Sequence, residues 1–290
     1  MQKTKLAMTL DEKWNSLTLA NNFIFCKVME SEPELCKHLL EILLHIEIDH
    51  LEPPQTERTM QEGLDSKSVR FDVYTKDSNR IFDLEMQTVN KENLPKRARY
   101  YQSIIDIDNL NVGIDYDELK DTYIIFICLS DIFKQGLPVY SFENICTEDG
   151  QTKLNDGTHK VFFNAAKCDK LKSEDEKLFF KYLRGEKAAD EFTRKLNEKV
   201  ALVKKNAFWR KQYMTWEQTI KEERKEAYKE AYKEAYNEAY NEAKETTAVE
   251  YAKNFLKMNI LTSEQISIGT GLPLEKVLAL KKEIESMQKA

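Results

Sequence analysis

Residues 68–87 read SVRFDVYTKDSNRIFDLEMQ, and the rest of the architecture can be laid out around them. Val69, Phe71 and Val73 alternate with Arg70, Asp72 and Tyr74, and Phe82, Leu84 and Met86 alternate with Asp83, Glu85 and Gln87. A period of two marks a pair of half-buried strands. The intervening KDSNR has turn composition, and symmetric closure puts Ser78 and Asn79 at the tip of a hairpin. In that register Asp72 faces Glu85 across the ladder. Opposed residues on one face have Cβ atoms roughly 4.5–5.5 Å apart, where two carboxylates repel unless a positive charge lies between them. Gln87 falls on the same face, and the Met86 backbone carbonyl lies between it and Glu85. Together these oxygens form a hard donor set suited to Mg2+ or Mn2+. The plain alternative is that the acids form the wet face of a half-exposed antiparallel pair. The alternation alone leaves both readings open.

Upstream, FIFCKVM (23–29) and PELCKHLLEILLHI (33–46) carry apolar residues at helical spacing, with Leu35, Leu39, Leu40, Leu43 and Leu44 on one side. Glu52-Pro53-Pro54 closes this helical opening into a loop. Downstream, NLPKRARYYQSIID (93–106) predicts a helix with Pro95 near its start. TYIIFICL (122–129) is a continuous apolar run of the kind found in a strand buried on both faces. PVYSFENIC and KVFFNAA predict further strands. The order helix, hairpin, helix, buried strand, further strands predicts an α/β domain over 1–170, a mixed sheet flanked by helices.

After about Ser173 the sequence predicts helix throughout, giving a helical extension over 171–225. A tract at 226–247 contains EAYKEAYKEAYNEAYNEAK. Its repeat of four residues advances each tyrosine from Tyr228 to Tyr240 by about 40° around a helix, so the stripe wraps and forms no heptad seam. Glu226 with Lys229 and Glu230 with Lys233 are spaced to pair at i, i+3, which suits a solvated spacer or a loose self-association surface. Residues 248–290 predict a small helical hairpin: Thr262 to Gln265 fits a capping box, Gly269 and Gly271 mark a turn, and Pro273 opens another helix. Its second helix starts with Pro273, Leu274, Glu275 and Lys276, which lacks the Arg, Asn or Gln that major-groove reading needs. A docking or dimerisation hairpin is the expectation, so the chain's partners include a second copy of itself through the helical tail.

The chain has 290 residues and a formal net charge of -6. That acidity argues against whole-surface electrostatic attachment to DNA and leaves room for a local basic groove. The densest such cluster lies beside the hairpin: Lys96, Arg97, Arg99, Tyr100 and Tyr101. These offer charges for phosphates and rings for stacking, with Arg97 and Tyr101 on one helix face. The bland counterpart is helix-to-sheet packing for the tyrosines and a structural counter-ion role for Arg97. Cys26, Cys36, Cys128, Cys146 and Cys168 show no CxxC or zinc-like spacing, which fits a reducing cytoplasm. The N-terminal MQKTKLAMTLDEKWN has no apolar stretch of signal-peptide length, and no segment has the length of a membrane span. His38 and His45 stand seven apart, too far for an i, i+4 chelate, and no zinc site is assigned. No GxxxxGK[ST], GxSxG or HExxH occurs.

DSKSVRFDVYTKDSNRIFDLEMQ, together with LANNFIFCKVMESEPELCKHLLEILLHIEI upstream and RARYYQSIIDIDNLNVGIDYDELKDTYIIFICLSD downstream, resembles the recombination-promoting nuclease (Rpn) family and PD-(D/E)XK nuclease family transposases. The resemblance covers roughly residues 15–170 together with a repeat-bearing tail. It implies a restriction-endonuclease-like fold and metal-dependent DNA endonuclease activity in recombination, mobile-element or defence biology. Under it Asp72 and Glu85 match the acidic motif residues, and Gln87 takes the place usually held by Lys. Asn22 stands where related sequences often carry Asp, an accessory contact to metal or water. Its amide opens a second expectation, a catalytically degenerate DNA-binding or assembly protein that keeps the fold.

Overall fold

The computed structural model describes residues 8–61, 67–89 and 92–287. The first seven residues, and the Asp65 and Ser66 that open the DSKSVRFD motif, lie outside them. The chain divides into two compact units, Met1–Met214 and Thr215–Ala290.

The first unit opens with three helices, α1 (Leu10–Ser16), α2 (Asn22–Ser31) and α3 (Pro33–Leu44). The Asn21 side chain caps α2 by accepting from Ile24 N–H, which fixes where Asn22 begins its first turn. A six-stranded sheet follows: β1 (Gln55–Met60), β2 (Val69–Lys76), β3 (Arg80–Gln87), β4 (Asp121–Cys128), β5 (Val139–Phe142) and β6 (Thr158–Asn164), in the order β1-β2-β3-β4-β6-β5. Strands β3, β4 and β6 run parallel, and β1, β2 and β5 pair antiparallel at the flanks. The uninterrupted apolar run of β4 is explained by its place between β3 and β6, with both faces covered. Helix α4 (Leu94–Asn109) connects β3 to β4.

Two apolar layers enclose the sheet. On one face Val73, Phe82, Leu84, Met86, Ile125 and Ile127 pack with α1, α2 and α3. Helices α5 (Glu174–Leu183) and α6 (Glu191–Lys205), with Tyr213 from the start of α7 (Ala207–Met258), belong to the same layer. The compact unit that carries the sheet therefore reaches Met214 and takes in much of the stretch read from sequence as a separate extension. On the other face Phe71, Tyr74, Ile81, Ile124 and Phe126 pack against Leu94, Ala98, Tyr101, Ile104 and Ile105 of α4.

That second layer corrects the expectation of half-buried strands. Asp83, Glu85 and Gln87 are buried because α4 lies over the face that alternation marked as wet, and Asp72 is buried with Asn22 of α2 against it. Strand β1 is a second correction. QTERTM lacks alternation and follows two prolines, so it reads as loop, yet it pairs with β2 from Gln55↔Tyr74 to Met60↔Val69.

In the second unit, Ala252 of α7 packs with Ile266 of α8 (Ser263–Thr270) and Val277 and Leu280 of α9 (Leu274–Met287). The Thr262–Gln265 capping box and the left-handed Gly271 stand where the sequence put them. The tetrad tract lies within α7, and Tyr228, Tyr232, Tyr236 and Tyr240 are exposed. Among the described residues no helix is long and apolar enough to cross a membrane.

Candidate active site

The β2–β3 hairpin turns at Ser78 and Asn79, and its register runs Lys76↔Ile81, Thr75↔Phe82, Tyr74↔Asp83, Val73↔Leu84. Continued by one pair, the same register brings Asp72 opposite Glu85. At that point backbone pairing gives way to side chains. Asp72 N–H donates to Glu85 Oε1 at 2.9 Å, and Met86 N–H donates to Asp72 Oδ2 at 3.0 Å. Each carboxylate thus takes the place of a strand carbonyl on the opposite side of the ladder.

The departure has a visible cause in β2. Phe71 and Tyr74 both pack toward α4 while Val73 packs toward the other layer, so alternation slips by one at Asp72. Asp72's neighbour in the β1 register, Glu57, has φ 53°. A left-handed conformation at a non-glycine residue is strained, and such strain persists where surrounding structure holds it.

Helix α2 closes the site from one side. Asn22 Nδ2 donates to Asp72 Oδ1 at 2.7 Å, and the Cys26 thiol one turn on bonds Asn22 Oδ1 and the Asp72 carbonyl at 3.1 and 3.2 Å. Helix α4 closes it from the other. Arg97 Nη2 donates to Glu85 Oε2 at 3.1 Å and to the Tyr101 hydroxyl at 2.8 Å, and Nη1 donates to Gln87 Oε1 at 3.1 Å. Gln87 Nε2 in turn donates to the Val89 carbonyl, which fixes the orientation of the amide. Because N–H and C=O of a strand residue point to the same side, the Met86 carbonyl is also turned toward β2.

Among the described residues the site is short of positive charge. Burial, then the Asp72 carboxylate, pushes Glu85 up to about 8, against the pull of the Asp72 N–H and Arg97. Asp72 is raised by burial, moderated by Asn22 and the Met86 N–H. Asp83, two residues before Glu85 on the same face, is fully buried; no cation or N–H donor among the described residues bonds its oxygens, and the side chain it meets is the Glu85 carboxyl. Burial, then Glu85 and Asp72, holds its carboxyl well above the usual range. Among the described residues, the half-buried Arg97 guanidinium is bonded to this group of three buried acids, and the exposed Arg70 adds its pull on Asp72 and Glu85. That imbalance fits a divalent cation, as does an all-oxygen donor set. Among the described residues no three Asp, Glu, His or Cys side chains are gathered into a cage. The set here is two carboxylates supplemented by amide and carbonyl oxygens, which matches a cation that keeps several waters.

The basic cluster divides. Arg97 and Tyr101 turn inward, while Lys96, Arg99 and Tyr100 are exposed. Tyr101 does not offer a stacking face: its ring is buried, 5.2 Å edge-on from Phe71 and 6.4 Å from Phe126. Burial, then Glu85, raises its hydroxyl to about 12, so it remains a neutral partner for Arg97. Tyr100 hydrogen-bonds the Lys67 carbonyl at 2.8 Å. Asp83 is the residue that sequence reasoning passed over; its parity with Glu85 and Gln87 was the available signal.

A mixed sheet with flanking helices, carrying paired acids across a hairpin and a polar residue two positions beyond the second, defines the PD-(D/E)XK nuclease class. The family model of PD-(D/E)XK nuclease family transposases matches residues 20–246, and the chain belongs to that family. Nucleases of this class generally act with divalent metals on DNA. Comparison with curated proteins and with solved structures gives no significant match.

Proposed function

We propose that the chain is a metal-dependent DNA endonuclease that hydrolyses phosphodiester bonds at the open end of the β2–β3 hairpin. The observation that carries this reading is the group of three buried acids, with Asp72 and Glu85 bonded across the ladder and Arg97 the guanidinium paired with Glu85 among the described residues. Asp72, Glu85 and the Met86 carbonyl would hold Mg2+ or Mn2+. Bound there, such a cation neutralises charge on the phosphate and makes water acidic enough to supply a nucleophile near neutral pH. Gln87, its amide set by Val89, orients the attacking water or a phosphate oxygen. Lys96 and Arg99, exposed on the first turns of α4, hold the phosphates on either side. Asn22 positions Asp72 through the 2.7 Å hydrogen bond.

The biological setting that fits the family is recombination, transposition or defence. Residues 1–170 carry the chemistry in this reading. Within the 171–225 extension α5 and α6 complete the core over the sheet, the 226–247 tetrad helix and the 248–290 hairpin serve self-association, and paired copies would place two sites on two strands. Incubation of the purified chain with supercoiled plasmid and Mg2+ or Mn2+, beside Asp72→Ala, tests the assignment. Nicking and linearisation by the wild type alone are expected, and equal nicking by both proteins rejects it.

A second reading, a degenerate relative that binds DNA without cutting it, draws on the Asn22 amide against Asp72 and on Arg97 already paired with Glu85. DNA binding that is indifferent to metal, with no cleavage under varied Mg2+ or Mn2+, is its signature.

A further inference from the structure

Arg97 has two separate sets of partners. One consists of candidate cation-site oxygens, Glu85 Oε2 and Gln87 Oε1, each at 3.1 Å. The other contains none: the Tyr101 hydroxyl at 2.8 Å, and the rings of Tyr101 and Phe126, whose centroids lie 5.2 and 5.5 Å from the guanidinium carbon. Glu85 is 4% exposed at the side chain, whereas Arg97 is 25% exposed. The guanidinium therefore has an outward path that the carboxylate lacks, and an aromatic rest on which to remain when it lets go.

We propose that Arg97 is a latch on the cation site: in the metal-free protein its guanidinium occupies the cation's electrostatic place, and it must release Glu85 and Gln87 for a divalent cation to bind. The inference rests on the metal-dependent reading of the site. Its physical basis is competition. A guanidinium and a divalent cation on the same Glu85 carboxylate repel, and in a buried site that repulsion is screened far less than in water. Gln87 adds geometry, because the planar fork spans Glu85 and Gln87 at once and takes a lone pair of each oxygen while it stays. The binding-competent state is then only the unlatched fraction, and apparent cation affinity is reduced by that fraction.

The test is calorimetric titration of the full chain with Mn2+, with no nucleic acid present, for wild type, Arg97→Gln, Arg97→Lys and Glu85→Gln. Arg97→Gln is expected to bind Mn2+ on the order of tenfold more tightly than wild type. Arg97→Lys, a point charge that cannot span both oxygens, should fall between the two, and Glu85→Gln should lose binding. The rise in melting temperature on adding Mn2+ should likewise be larger in Arg97→Gln than in wild type. Unchanged or weaker binding in Arg97→Gln, with loss in Glu85→Gln, overturns the latch and leaves the metal site standing. Absence of saturable Mn2+ binding in both wild type and Arg97→Gln overturns the latch and the metal-dependent reading together. If Arg97→Gln does not fold, Arg97→Lys decides, and binding no tighter than wild type overturns the proposal.

Discussion

The two ends of the β2–β3 hairpin both bury an aspartate near an arginine and resolve its charge in opposite ways. At the turn, Asp77 accepts from Asn79 N–H at 2.9 Å, from Arg80 N–H and Nε at 2.6 Å each, and from Arg80 Nη2 at 2.6 Å. The partners of its carboxylate among the described residues lie within three residues, and Arg80 is itself tied to the Glu47 carbonyl at 2.8 Å. At the open end, Asp72 draws on α2 and a strand N–H, Glu85 on a strand N–H and Arg97, and the oxygens of Asp83 receive no donor among the described residues. A carboxylate satisfied by its own turn is a structural device. A group of carboxylates left short of positive charge stores an affinity for a cation.

The largest expected effect falls on chemistry. Asp72→Ala or Glu85→Ala should lower plasmid cleavage by roughly a thousandfold, since a metal contributes several kcal/mol of charge stabilisation and about 1.4 kcal/mol is a factor of ten. Gel assays at fixed Mg2+ read this, and Asp77→Ala should keep its cleavage rate wherever it is folded. Stability should show the reverse ranking. Asp77→Ala takes a charged acceptor away from its donors and should cost about 1.5–3 kcal/mol in urea unfolding. Asp83→Asn should cost less than that or stabilise the metal-free protein, because it removes a buried acid that no cation or N–H donor among the described residues bonds. An Asp83→Asn loss larger than that of Asp77→Ala would break the comparison.

The pH dependence sharpens the same contrast. Glu85 is raised from 4.5 to about 8 in the fold, and Asp72 and Asp83 are raised as well. The native state then holds protons that the unfolded chain has already released, so stability falls as pH rises. For metal-free protein the contribution of Glu85 is fully present below about pH 4.5 and is lost as pH climbs through about 8. Melting curves in EDTA should show that decline, and Mn2+ should restore progressively more stability across the same window. A flat profile in EDTA would contradict the charge imbalance. The smallest effect belongs to the outer face of α4. Lys96→Ala with Arg99→Ala should reduce the slope of log affinity against log salt by about 2 for duplex DNA, with little change in folding.

Much of this was legible in residues 68–87, because period-two alternation and a central turn fix a register, and a register fixes which residues meet. The buried β4 run and the capping box at Thr262 were equally plain, since each depends on local chemistry. What stayed hidden depends on distant packing. QTERTM looks like loop because an edge strand with a left-handed Glu57 needs no apolar alternation. Asp83 looked like an ordinary polar-face residue because a wet face and a face roofed by α4 carry the same alternation. The inward turn of Arg97 and Tyr101 depends on Phe71 and Phe126, which lie 26 and 29 residues away from Arg97 in the chain. Helices α5 and α6 read as an extension because nothing in their own pattern names the sheet they cover.

The central claim is that the open end of the hairpin, and not the turn, is built to take a divalent cation. Anomalous scattering from crystals grown or soaked with Mn2+ tests it most directly. The account predicts a peak between the Asp72 and Glu85 carboxylates, within about 2.0–2.6 Å of an oxygen of each, with Arg97 withdrawn toward Tyr101. A well-occupied lattice with no peak there, or with Mn2+ elsewhere while Arg97 remains on Glu85, would contradict it.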